Sequence, residues 1–203
     1  EQVLKLVAQI GQPSQLAQPL RLILDQPEWS VSRRSRLLVH LVEATAERQV
    51  RPAGDLRRVE ELLESKQPAL TLAAIRAAGT WRVDHVRPKL VARLKEITEV
   101  TRVTRELLSA LRRLGAEDVL TQTVESHPAL PVRRLAVQEL AELDPAAAAS
   151  KAVGFLREWP VDSPPDSLIA AFLEHKQGPP ALVQALAGAE IPADVARLWV
   201  RAV

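Results

Sequence analysis

Residues 70–79 read LTLAAIRAAG, and residues 105–115 read RELLSALRRLG. In both segments aliphatic residues recur at intervals of three and four positions, which places them on one face of an α-helix. A glycine closes each segment, at a position where helices often end in a left-handed residue. The two segments therefore predict two amphipathic helices of the same kind, one repeat apart.

The same pattern occurs along the rest of the chain. Further copies are VLKLVAQIG (3–11) and RRLAVQELAELD (133–144), and weaker ones are SRLLVHLVE (35–43) and SLIAAFLEHK (167–176). The ends of successive copies lie 29–36 residues apart. A short turn and a second apolar helix are predicted after each copy, at 16–24, 55–64, 84–97, 116–126, 146–158 and 179–188. Such a period of two helices is typical of solenoid proteins.

The composition agrees with helices alone. Aromatic residues make up 3% of the chain and glycine occurs 7 times, whereas strands favour aromatic residues and tight turns favour glycine. We therefore predict an all-α fold, a right-handed α-solenoid (superhelix) of about six antiparallel helix pairs. The predicted single domain, 1–203, has repeats at approximately 1–25, 31–64, 67–97, 101–126, 130–158 and 165–188, and a further repeat begins at 192–203.

The first helices, with VRRLAVQELAELD and LAAIRAAG as the clearest, resemble short bacterial HEAT repeats of the armadillo-like class. A narrower resemblance lies in GPPALVQALAG and IPADVA, within 178–196. These are similar to the HEAT region of large bacterial proteins that join a propeller-like dehydrogenase domain to a c-type cytochrome domain. The resemblance implies a piece of a longer, exported or periplasmic protein, whose enzymatic and haem-binding parts lie outside 1–203. The absence of methionine agrees with an excised piece.

No catalytic pattern stands out. Cysteine is absent, which excludes thiolate metal sites and cysteine nucleophiles, and the sequence has no HExxH, GxSxG or glycine-rich phosphate loop. The histidines His40, His85, His127 and His175 fall in different repeats, so no metal site is expected. We predict no catalysis in this segment, no cofactor and, without an apolar run of about 18 residues, no membrane insertion.

The charge is unevenly distributed. Residues 30–113 contain 18 basic and 10 acidic residues, and residues 114–203 contain 7 and 12. Second helices of solenoids usually line the concave face, so stacking would align the basic residues into a surface for an acidic partner or a phosphate backbone. The alternative is that they are solvated helix flanks, which the interleaved glutamates favour. The candidate set is Arg57, Arg58, Lys89, Arg93, Lys95, Arg102 and Arg105.

The leading hypothesis is a scaffold that binds a protein or a neighbouring domain of the same chain. The alternative is a nucleic-acid-binding domain, because HEAT-like DNA-repair glycosylases combine a basic concave face with an aromatic residue and a carboxylate. Trp81, Asp84 and the basic residues of 87–95 would supply those groups, although only the residue types match and no motif does. A third hypothesis is a lyase, since some bilin lyases contain HEAT-like repeats.

Overall fold

The computed structural model describes residues 2–26, 28–155 and 166–189, together with residues 193 and 197. The described part is all-helical and contains no strand, as the composition predicts. Its α-helices are α1 (Gln2–Ile10), α2 (Pro13–Asp25), α3 (Val31–Glu47), α4 (Val59–Leu63), α5 (Pro68–Thr80), α6 (Arg87–Lys95), α7 (Arg102–Arg113), α8 (Glu117–Ser126), α9 (Leu130–Ala141), α10 (Pro145–Gly154), α11 (Asp166–Leu173) and α12 (Gly178–Ala187). Single 3₁₀ turns precede α4 and α6, at Leu56–Arg58 and Asp84–Val86.

The helices divide into two compact units. The first unit comprises residues 1–94 and 109–114. In it, α3 packs between α1 and α5, while α2 packs against α1 and α3, and α4 packs against α5. The helices α1, α3 and α5 therefore lie side by side, with α2 packed on α1 and α3 and with α4 packed on α5.

The second unit comprises residues 95–108 and 115–203. Here α9 packs against α8, α10 and α11, and α10 packs against α12. The core consists mainly of Leu, Val and Ala, as the sequence pattern predicts, with Phe155 and Phe172 also fully buried. Whether the two units belong to one domain stays a prediction.

The C-terminal ends of α3 and α5 have the same backbone geometry. The residues Gln49 and Arg82 adopt left-handed conformations, with φ of 53° and 52°. The N–H groups of Val50 and Val83 bond to carbonyls five residues back, at 3.0 and 2.9 Å, which is the pattern of a Schellman motif. Gly115, after α7, is also left-handed, so this conformation recurs every 33 residues.

The predicted role of glycine at these ends is right for Gly115 and wrong for Gly11 and Gly79, neither of which has a positive φ. Gly79 lies inside α5, where an added Cβ would be 2.7 Å from the Cα of Ala110 on α7. Its small size therefore allows the two helix backbones to approach closely. At Gly11, an added Cβ would be 2.5 Å from the carbonyl oxygen of Val7.

At these ends, side-chain hydrogen bonds also join neighbouring odd-numbered helices of the first unit; we call such a bond a tie. Arg48, at the end of α3, donates hydrogen bonds to the carbonyls of Ala8 (3.1 Å) and Gly11 (2.7 Å). Trp81, at the end of α5, is fully buried and donates from Nε1 to Thr45 Oγ1 of α3 at 2.8 Å. The indole therefore has its polar group satisfied within the core.

Both units share a second tie, made by an arginine in the first turns of an odd-numbered helix. The Nε of Arg34 donates to the carbonyl of Ile23 at 2.7 Å, and the Nε of Arg133 donates to that of Val124 at 2.8 Å. Each carbonyl lies two residues before the last residue of the preceding helix, where no helical N–H follows to pair with it. The same contact thus joins α2 to α3 and α8 to α9.

At α5 and α7, threonines near the first turn bond to a backbone carbonyl of the connection that precedes the helix. The hydroxyl of Thr71 donates to the carbonyl of Ser65 at 2.9 Å, and that of Thr104 donates to the carbonyl of Glu99 at 2.8 Å. Both threonines are buried, so these bonds also satisfy hydroxyls that water does not reach.

Some predictions fall on residues that the structure does not describe. The proline-rich connection predicted at 158–167 lies outside the described residues except at its last two positions, and so do Trp159 and Trp199. Of the repeat predicted to begin at 192, only residues 193 and 197 are described. Within the described part, no helix is long and apolar enough to cross a lipid bilayer.

Candidate binding surface

The predicted basic surface of the first unit is an alternating set of positive and negative side chains. Arg58 reaches Asp25 of α2 at 2.6 Å through Nη1, and Glu61 of α4 at 2.9 Å through Nε. The hydrogen bonds that Arg58 donates, first to Glu61 and then to Asp25, raise the pKa of Arg58 above its usual range. Arg58 is therefore engaged on both sides by carboxylates.

Lys89 of α6 is paired in the same way with α4. Its Nζ lies 2.6 Å from Glu60 Oε1 and also contacts Glu64. The hydrogen bond to Glu60 raises the pKa of Lys89, and the same bond lowers the pKa of Glu60. The positive charge predicted at Lys89 is thus largely compensated before any ligand arrives.

The other five candidates differ in their setting. Arg57 is widely exposed, with 79% of its side chain accessible, and its Nε lies 3.4 Å from Asp55. Arg93 is half-buried on α6. Lys95, Arg102 and Arg105 are exposed and belong to the second unit. The structure therefore gathers only part of the predicted set, Arg57, Arg58, Lys89 and Arg93, within one unit.

A cleft in the first unit lies beside this surface and was not predicted from the sequence. Its volume is about 260 Å³, and it lies between the connection that follows α3 and the turn that follows α5. The charged and titratable groups that line it are Arg51, Arg57, Arg82, Asp55, Asp84 and His85. Only Arg57 of this set belongs to the predicted surface.

Local bonds fix both walls of the cleft. The amide of Ala53 donates to the carbonyl of Pro13 at 2.8 Å, and Asp55 Oδ1 accepts from the amide of Arg57 at 2.9 Å. The ring of His85 pairs through Nε2 with the carbonyl of Arg57 at 3.2 Å. Pro52 of the same connection is buried, which fixes the connection against the rest of the unit.

The sequence contained one signal for this cleft. The stretch ERQVRPAGD (47–55) is predicted to be an extended connection, and the structure has a connection there, with Gly54 at φ 93°. What the sequence did not show is that Arg82 and Asp84 lie opposite it. That proximity depends on the packing of α5 against α3 and α4.

The remaining candidates for chemistry stay apart. No group of three His, Cys, Asp or Glu residues in the described part of the chain could hold a metal ion. Trp81, the aromatic residue of the nucleic-acid hypothesis, is 0% exposed and cannot stack on a base. Trp29 is half-buried under the guanidinium of Arg33, which lies 4.0 Å from the ring centre.

Comparison with protein-family models, with curated proteins and with solved structures found no match to this chain.

Proposed function

We propose that this chain is a binding scaffold of the HEAT type, a right-handed α-solenoid of about six helix pairs that holds a protein or a neighbouring domain. No catalysis is proposed for this segment. The observation that carries the proposal is the repetition of similar contacts and backbone conformations at the helix ends. Left-handed residues at 49, 82 and 115, and arginines or threonines in the first turns of α3, α5, α7 and α9, recur from pair to pair.

Repetition of this kind supports an array because each pair depends on its neighbour. A helix such as α3 packs against both α1 and α5, so one pair alone would leave part of its buried surface exposed. Connections are then free to vary and to carry the binding groups.

Small-angle X-ray scattering tests the array. A compact domain of 203 residues has a radius of gyration of about 17 Å. We expect a clearly larger value and a skewed distance distribution. A value at the compact limit would contradict the solenoid.

Crosslinking in the cells that make the protein tests the scaffold. A photoreactive residue at position 56, at the start of the 3₁₀ turn that precedes α4, is expected to capture a protein or another domain of the same chain. The same probe at position 36, on the exposed surface of α3, is the matched control. Equal yields at both positions, or none at either, would contradict a specific scaffold.

A further inference from the structure

We propose that the cleft between residues 51–57 and 82–85 binds a carboxylate side chain on an acidic segment of the partner protein. This inference rests on the scaffold function and narrows the chemistry of its partner. The cleft brings three arginines from two separate connections to one concave place, where several guanidinium groups can hold one anion in bidentate fashion.

Most guanidinium N–H groups of the three arginines, Arg51, Arg57 and Arg82, make no hydrogen bond within the described part of the chain. Arg51 has one contact within the described part of the chain, from Nη1 to the carbonyl of Trp81 at 3.4 Å. The guanidinium of Arg82 has no contact there, and Arg57 is held only loosely by Asp55. A guanidinium carries five N–H donors, so each of the three can bind a ligand without breaking a strong bond in the protein.

The carboxylates of the cleft select the kind of anion. Asp55 and Asp84 offset two of the three arginines, which leaves about one unit of positive charge when His85 is neutral. One positive charge balances a single carboxylate, whereas a phosphate dianion, or the successive phosphates of a nucleic-acid backbone, would bring more negative charge than the cleft can balance. Pro52, Leu56 and Val83 line the same cleft and can contact the aliphatic part of a glutamate.

The backbone conformation of Arg82 is one that glycine adopts more readily than arginine. It is left-handed at a position where the next repeat has Gly115, and an L-residue in this conformation is less stable than glycine. Replacing Arg82 with glycine therefore removes a guanidinium from the cleft without disturbing the fold, which gives a clean test variant.

The experiment is NMR titration of the isotope-labelled chain with a short peptide of alternating glutamate and glycine. A peptide with glutamine in place of glutamate is the control, and inorganic phosphate and single-stranded DNA are separate arms. We expect the glutamate peptide to shift the amide signals of 51–57 and 82–85. Arg82→Gly and Arg57→Gln should each weaken its affinity about tenfold, and Arg36→Gln, on α3, should leave it unchanged.

Several outcomes would overturn the proposal. Equal binding of the glutamate and glutamine peptides would exclude carboxylate recognition. Tighter binding of phosphate or DNA at the same amides would assign the cleft to phosphate. No shift at these amides, while crosslinking from position 56 persists and is unaffected by Arg82→Gly, would reject the cleft and leave the scaffold standing. Absence of crosslinks from position 56 when Arg82 is unchanged would instead reject the scaffold, whereas their loss only in Arg82→Gly would support the cleft.

Discussion

The two units use the same tie between helices but differ in their connections. In the first unit, α3 is followed by eight residues, 48–55, before the next helical turn, whereas in the second unit only residues 142–144 separate α9 from α10. Arg34 and Arg133 nevertheless make the same bond to the preceding helix. The comparison teaches that the arginine contacts fix how consecutive helices are joined. The length and charge of a connection decide whether a polar cleft forms beside it.

The largest expected effect tests the core of the first unit. Trp81→Ala should lower the free energy of unfolding by about 3–5 kcal/mol, because it leaves a cavity at a fully buried site and removes the donor to Thr45. Urea unfolding followed by circular dichroism measures this loss. The matched change Trp29→Ala, at a half-buried residue, should cost much less, and similar losses for both would show that Trp81 has no special place in the packing.

Glycines give the second comparison, one from each unit. An added Cβ at Gly178 would lie 1.9 Å from the carbonyl oxygen of Phe172, and one at Gly79 would lie 2.7 Å from Ala110. Gly79→Ala and Gly178→Ala should therefore each destabilise the protein by about 1–3 kcal/mol. At Gly154 no described residue lies within 4 Å of an added Cβ, so Gly154→Ala is the control and should be neutral or stabilising in the same thermal melt.

The shared arginine tie provides the third test. Arg34→Met and Arg133→Met should each cost about 1 kcal/mol through loss of the bond to the preceding helix. The loss should be greater at Arg133, because its guanidinium also lies 4.7 Å from the ring centre of the buried Phe155. Amide hydrogen exchange should show faster opening at the end of α2 for the first variant and at the end of α8 for the second. A smaller cost at Arg133 would show that the stacking contributes nothing.

The smallest expected effect concerns the ion pairs between α4 and α6. The pKa of Glu60 is lowered in the folded chain, so its contribution to stability is present at neutral pH and is lost as the pH falls through the acid range. Lys89→Gln should reduce this pH dependence and its sensitivity to salt, with only a slight change in stability at neutral pH because both side chains are partly exposed. Parallel urea titrations at neutral and acid pH check this. An unchanged pH profile would mean that the pair does not affect folding.

Much of the helix pattern could be predicted from the sequence, because periodic Leu, Val and Ala fix which face of a helix is buried. In the helix predicted at 84–97, Val86, Leu90 and Leu94 of the expected apolar stripe are buried, whereas Ile97, the fourth member, lies past the end of α6 and is only half-buried. The helix ends were harder. Glycine at position 79 suggested a left-handed terminus, yet the residue serves close packing, and the left-handed position falls on an arginine instead.

The candidate surface was predictable only in part. The sequence shows where arginines and lysines occur, but it does not show which carboxylates will reach them across helices. Arg58 and Asp25 are 33 positions apart in the chain and 2.6 Å apart in space. The cleft was missed for the same reason, because Arg51 and Arg82 belong to connections that only the packing of α3 against α5 brings together.

The two left-handed residues at the ends of α3 and α5 have a consequence for engineering. Gln49 and Arg82 share one backbone conformation, but only Arg82 lines the cleft. A thermostability screen should therefore accept glycine at both positions, with a gain of about 1 kcal/mol each. Only the variant at position 49 would keep its ligand, so the strained arginine marks a site where heat resistance and recognition are in conflict.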